Sequence, residues 1–456
     1  MRTTLLMGAL LCVSSTAGAQ QIPDSTARRQ QRTLDSLSTA LAAVNARLDS
    51  LAAKPPAPPM APMAPMAPMA PMAPMAPMAP MRASGAYMNV SFVGLTGFDW
   101  STSKDVGALQ VGDHEPHVRG FAIPNAELAL DGTVDPYLKA FANVVYKLDS
   151  NGETGVELEE MFFLTTSLPG NLQVKGGQFF TEFGRQNVQH PHSWAFADQP
   201  LALNRMFGPE GLRSQGLRIS WLLPTSFYTE ATMAVLNSAG TTTYSFRSEE
   251  SSAIHGGLPI ERAVGGAGDM LYVPRVATSV DLTSTQTLLM GVSGAFGPNN
   301  SGSSARTQIF GTDLYWKWKS PTAHQGFPFV AFQSEALVRR YDAAARDGEA
   351  NPSLTLPSES LRDRGVYAQL LWGIKPMLVA GVRADYANGD HARYPVLDAP
   401  EGVNRSRYST NLTWFPSEYS KFRFQYNYDH RTGIGNDHSL LLQFEFLLGA
   451  HAAHKF

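Results

Sequence analysis

Residues 421–429 read KFRFQYNYD, with Phe422, Phe424, Tyr426 and Tyr428 alternating with Lys421, Arg423, Gln425, Asn427 and Asp429. Successive side chains of a strand point to opposite faces, so this stretch predicts a strand with one aromatic and one polar face. The pattern recurs. Leu314, Trp316 and Trp318 oppose Asp313, Lys317 and Lys319, while Val382, Ala384 and Tyr386 oppose Arg383 and Asp385. Tyr408, Leu412 and Trp414 likewise oppose Arg407, Ser409, Asn411 and Thr413. Sixteen such segments fall between residues 87 and 448, most of them longer than an ordinary globular strand and suited to a tilted membrane strand.

The joins between segments decide how the faces are used. Long joins at 99–116, 181–210, 238–270, 343–360 and 390–403 alternate with tight turns such as DGTVD, SLPGN and FPSE. One rim therefore carries short turns and the other long loops, the asymmetry of an outer-membrane barrel. A soluble sandwich would bury its apolar faces against each other. Successive hairpins with one-sided turns instead predict an all-β fold: a closed, 16-stranded antiparallel transmembrane β-barrel over 86–456, polar inside and apolar toward lipid.

The segment before residue 86 has other periods. MRTTLLMGALLCVSSTAGAQ, with an apolar run from Leu5 to Val13 and small residues at 17–19, predicts a signal peptide over 1–19. Leu34, Leu37, Leu41, Val44, Leu48 and Leu51 are spaced 3, 4, 3, 4 and 3, the seam of a short coiled-coil helix within 20–54. PPAPP and seven MAP triplets then predict a disordered or polyproline II spacer over 55–82. With its short-turn rim inward, the barrel would hold this N-terminal segment in the periplasm.

Composition narrows the chemistry. Cys12 is the only cysteine and lies in the expected signal, so the mature chain has neither disulfide nor thiolate metal site. A net charge of −3 implies no nucleic-acid partner. No GxSxG, HExxH or phosphate-loop pattern occurs, and the chain reads as no enzyme, with no cofactor required.

The loop TEFGRQNVQHPHSWAFADQPLALNRMFGPE, residues 181–210, is unusually rich in aromatic, proline and histidine residues for a water-exposed loop. It is expected to fold into the lumen and constrict it. Candidate pore-lining and constriction residues are Arg423, Arg383, Lys317, Lys175 and Glu335 on strands, with Arg185, Asp198 and Arg205 on the loop. His190 and His192, two apart on an extended segment, can point the same way, and His114 and His117 on the first loop can add ligands. Together they make a candidate zinc site.

LPGNLQVKGGQFFTEFGRQNVQHPHSW, continuing to RMFGPEGLRSQGLRISWLLP, resembles the phosphate-selective porin O and P group of outer-membrane porins. The ending FLLGAHAAHKF, with its terminal aromatic residue, is similar to the barrel-assembly signal and to proteins labelled zinc-regulated TonB-dependent outer membrane receptors. The resemblance implies a sixteen-stranded, trimeric porin. The arginine ladder of the phosphate-selective members has no counterpart here, and the N-terminal zone leaves no room for a plug domain.

The expected function is a water-filled outer-membrane channel for passive diffusion of small hydrophilic solutes or ions, working as a homotrimer in outer-membrane lipid. A plug-less, zinc-linked uptake receptor and a barrel that tethers the outer membrane to the cell wall are the alternatives.

Overall fold

In a computed structural model the described residues run from 87 to 449, except 105, 107–108, 110–111, 116, 149–151, 249–263, 303, 348–354 and 391–403 in the long loops. The expected signal peptide, coiled coil and MAP spacer lie outside them, as do the terminal His451 and His454.

Sixteen strands form the wall. They are β1 (Tyr87–Ser101), β2 (Gly120–Thr133), β3 (Leu138–Leu148), β4 (Thr154–Thr165), β5 (Leu172–Phe180), β6 (Arg213–Leu222), β7 (Tyr228–Asn237) and β8 (Met270–Thr283). The remainder are β9 (Gln286–Pro298), β10 (Arg306–His324), β11 (Phe327–Ala343), β12 (Glu359–Lys375), β13 (Leu378–Gly389), β14 (Arg405–Ser417), β15 (Ser420–Arg431) and β16 (Gly435–Gly449). Each pairs antiparallel with its sequence neighbours, and β1 pairs with β16 from Ser91↔Gly449 to Ser101↔Ser439, which closes the barrel. The short-rim turns run from two residues to six; at the β10–β11 hairpin Gln325 and Gly326 both take positive φ, 51° and 83°, as a two-residue turn between twisted strands requires. The other rim carries eight loops, here L1 to L8, of which L3 spans 181–212.

The burial pattern is inside out. Along β15, Lys421, Arg423, Gln425, Asn427 and Asp429 are buried, while Phe422 and Phe424 are exposed. Trp372, Leu412, Trp414 and Leu442 are exposed too, on strands where Arg407 and Gln443 are buried. Rings on this outer face stack across strands, Phe422 lying 4.6 Å from Phe444 and 5.6 Å from Trp414 between centroids. An apolar exterior of this kind is stable only against lipid hydrocarbon.

The interior differs from the sequence expectation that the polar face meets water. Each of the sixteen strands contributes a buried inward side chain. What covers them is protein: L3, with parts of L1, L4 and L5, folds back into the barrel.

Candidate functional site: the loop inside the lumen

L3 leaves β5 at Thr181 and is caught at once by a wall carboxylate. Glu335 of β11 accepts the backbone N–H groups of Gln186 (2.7 Å) and Arg185 (3.1 Å), and the hydroxyl of Tyr367 (2.8 Å). Gly184 makes this approach possible, with φ +64° and no space for a Cβ beside the Glu335 carboxylate. Arg185 donates to Gln333 (3.2 Å) and lies over the Tyr315 ring at 4.1 Å.

The next residues enter an acidic and imidazole-rich corner. Strict alternation in β4 would turn Glu160 toward lipid if Glu159 faced the lumen. Instead Asn143 pairs with Glu160 and Val144 with Leu158, so a β-bulge inserts Glu159 and turns both carboxylates inward. His190 sits between them, Nδ1 at 2.8 Å from Glu159 and Nε2 at 2.9 Å from Glu160. Burial disfavours charge on this ring, but the Glu159 and Glu160 carboxylates outweigh it and hold the His190 pKa well above the usual imidazole value. His192 Nδ1 lies 3.0 Å from Glu127 on β2.

Residues 194–198 then cross the inner face of β13 to β16, and the wall satisfies their backbone almost group by group. Arg423 donates to the carbonyls of Trp194 (2.7 Å) and Phe196 (3.0 Å), and Asn411 to that of Ala195 (2.8 Å). The Ala197 N–H donates to Gln425 (2.7 Å). Asp198 is the centre of this region. It accepts from Arg383 Nη2 (2.8 Å), Arg407 Nη1 (2.5 Å), Gln425 Nε2 (2.6 Å) and Asn427 Nδ2 (3.0 Å). Burial would raise its pKa, but the Arg383 and Arg407 guanidinium groups hold it below the ordinary carboxylate value. Glu115 of L1, which accepts the Gln199 N–H at 2.7 Å, moves the other way: burial and the Asp198 charge push it up to about 7.

A seven-residue helix of about two turns, α1 (Leu201–Phe207), follows in L3. Pro200 starts it, and Gly208, at φ 73°, ends it. Leu203, Met206 and Phe207 are buried against Leu236, Val273, Ile309, Leu337 and Tyr367 of the wall, with Phe246 of L4 closing the cluster. Any side chain at Gly365 would meet the backbone of Ala202, so glycine there lets α1 lie directly on β12. Arg205 on α1 and Arg339 on β11 share Asp363, Arg205 Nε at 2.9 Å from Oδ1 and Arg339 Nη2 at 2.6 Å from Oδ2.

The structure thus places Arg423, Arg383, Glu335, Asp198 and Arg205 in contacts that hold L3 and not on an open water channel. Lys175 and Lys317 keep partial exposure lower in the lumen; Lys175 pairs with Glu182 (2.7 Å), and Lys317 lies 5.3 Å from the Phe329 ring centre. Of the four histidines, His114, His190 and His192 reach the Glu127–Glu159 corner, whereas His117 is exposed on L1 and belongs to neither metal-type cluster. Sequence reasoning missed Asp363, Arg339, Arg407, Asp429 and Glu160 as members of these contacts. Alternation put Arg407 and Asp429 on polar faces; Arg339 beside Arg340, and Asp363 between Arg362 and Arg364, stand where charged neighbours blur the alternation, and only the bulge discloses Glu160.

A closed, sixteen-stranded antiparallel barrel with an apolar exterior and an infolded loop has the fold of an outer-membrane β-barrel. No known family model matches the chain. It is 32% identical over 357 residues to an uncharacterized protein of Aquifex aeolicus, an alignment covering 74% of this chain and 70% of that one, and it belongs to that protein's family. Among solved structures it is similar in fold to the outer membrane channel DcaP of Acinetobacter baumannii, with a TM-score of 0.52 at 12% identity over 81% of this chain and all of that one. The anion-selective porin from Comamonas acidovorans gives a TM-score of 0.50 at 8% identity, again over 80% of this chain and all of that one.

Proposed function

We propose that the protein is an outer-membrane channel for passive movement of small hydrophilic solutes or ions, with L3 setting the passage. The observation that carries this reading is L3 itself, fixed across the inside of a closed, lipid-facing barrel by contacts from both sides of the wall. Around the start of L3 and below it the partly exposed charged groups have both signs, Lys175 and Lys317 on the wall against Glu182 of L3, so the lumen presents no single-sign filter. Phosphate selectivity, which the sequence resemblance suggests, receives no support from the arginines: Arg383, Arg405 and Arg407 are paired with Asp198 and Asp429, and Arg423 with carbonyls. A homotrimer is part of the proposal on that resemblance alone, and light scattering from detergent-solubilised protein distinguishes three copies from one.

Planar-bilayer recording of the purified full chain tests the channel reading. Discrete conductance steps are expected; a barrel that inserts and shows none refutes it. Reversal potentials under a salt gradient are expected to show weak ion preference.

A further inference from the structure

The corner where L3 meets β2, β3 and β4 contains three carboxylates, Glu127, Glu159 and Glu160, all buried. The nearest fixed cation is Arg213, whose Nη1 stands 3.7 Å from Glu159 Oε1 without a hydrogen bond there. Lys421 reaches this side too, but it is engaged by Glu445 at 2.8 Å and by the carbonyl of His192. His190 lies between Glu159 and Glu160, and a divalent ion on its Nδ1 would leave Nε2 donating to Glu160.

The donor atoms of Glu127, Glu159 and His190 lie within 4.8 Å of one another. His190 Nδ1 is 2.8 Å from Glu159 Oε2 and 3.7 Å from Glu127 Oε2. Ligands of a tetrahedral zinc ion at its usual bond lengths stand about 3.3 Å apart, and these two separations bracket that value. The amide nitrogen of Asn143 lies in the middle of the set, 2.7 Å from Glu159 Oε2, 3.4 Å from Glu127 Oε2 and 3.2 Å from His190 Nδ1. Those are ligand-to-ligand spacings, and a half-turn of that amide would bring its oxygen in as a fourth donor.

A second, independent observation points to a ligand. Glu159 Oε1 is taken by His114 Nε2 at 3.3 Å, so it is Oε2 that faces His190 and Asn143. The Oδ1 of Asn143, buried to 1% exposure, has no hydrogen-bond donor. An unpartnered oxygen on a buried amide set among these donor atoms is what a metal ion would use. The other acidic group at this rim, Asp113, His114 and Glu210, is already served by the Lys147 ammonium, which contacts Asp113 and lies 2.8 Å from Glu210.

We infer that Glu127, Glu159 and His190, completed by Asn143, form a site for a divalent cation of the zinc type, and that the bound ion staples L3 to β2, β3 and β4. A donor set of one imidazole, two carboxylates and an amide, without thiolate, favours Zn²⁺ over the all-oxygen geometry of Ca²⁺ or Mg²⁺. The site stands apart from the channel reading, because binding is measured without conduction.

Calorimetric titration of Zn²⁺ into the metal-stripped full chain in detergent tests the inference. One ion per barrel is expected, with no displacement by excess Mg²⁺. Affinity is expected to fall at least 100-fold in Glu159→Gln and in His190→Ala, and to stay unchanged in Glu210→Gln and in His451→Ala/His454→Ala. Heat-modifiable migration on gels verifies that each variant retains the barrel. Amide exchange over residues 186–198 is expected to slow at least tenfold on Zn²⁺ addition in the wild type only. Equal heats in wild type and His190→Ala, no heat in the wild type, or a loss of heat confined to the Glu210 or terminal-histidine variants would each overturn the site.

Discussion

On the side of β5 to β12, L3 rests on side chains such as Leu236, Val273, Ile309 and Leu337; on the side of β13 to β16 it rests on Arg383, Arg407, Gln425 and Asn427. The first contact is apolar packing, which is non-directional and indifferent to pH. The second is a set of directed, charge-assisted hydrogen bonds that admits one register of residues 194–198. Apolar area holds α1 against the wall, but a helix can slide on such a surface. The ionic side fixes where the chain stops. Buried ion pairs contribute little net stability when intact because desolvation offsets the attraction, yet removing one partner costs heavily. The two walls therefore respond to different perturbations.

The largest effect is expected on the ionic wall. Asp198→Ala leaves Arg383 and Arg407 buried without their shared carboxylate, although Asp385 and Asp429 still pair with them. Docking of L3 is expected to weaken by roughly 3–5 kcal/mol. Amide exchange over 194–205 should rise steeply, and single-channel conductance should increase. On the apolar wall, Leu203→Ala removes a fully buried side chain from the α1 cluster and is expected to cost about 3 kcal/mol. Exchange should then rise over α1 more than over 194–198, and the effect should be the same at pH 5 and pH 8.

Acid gives a graded version of the Asp198 experiment. Its carboxylate is held below the usual value when docked, so the docked state binds fewer protons than the released loop. The contribution is therefore complete above the free-carboxylate pKa of about 4 and is lost as pH falls through the lower docked value. Protection of 194–198 is expected to hold from pH 8 to 5 and to fall below about pH 4, and Asp198→Asn should remove that step. The smallest effect is expected from Lys317→Ala, which belongs to neither the apolar cluster around α1 nor the set of hydrogen bonds on Asp198. Its cost should stay within about 0.5 kcal/mol, while the reversal potential moves toward cation preference.

Much of this architecture is legible in the sequence. The alternation around Phe422, Trp414 and Val382 gives strands, and the one-sided turns give a closed barrel, because period and turn length are local properties. The infolding of L3 is also legible, from the aromatic, proline and histidine content of 181–210. The partners of L3 are not. That Arg423 meets backbone carbonyls and not water depends on residues more than 200 positions apart. The inward turn of Glu160 depends on a one-residue bulge that leaves the composition of β4 unchanged. The apolar wall escapes for a different reason: Ala234, Leu236 and Val273 face inward in a barrel whose alternation leads one to expect polar residues there.

The central claim is that L3 occupies the lumen and sets the passage. Single-channel recording of a variant in which residues 186–209 are replaced by a short Gly/Ser linker tests it most directly, with heat-modifiable migration showing that the barrel has closed. A severalfold higher conductance than the wild type is expected. An intact barrel with unchanged conductance would contradict the account.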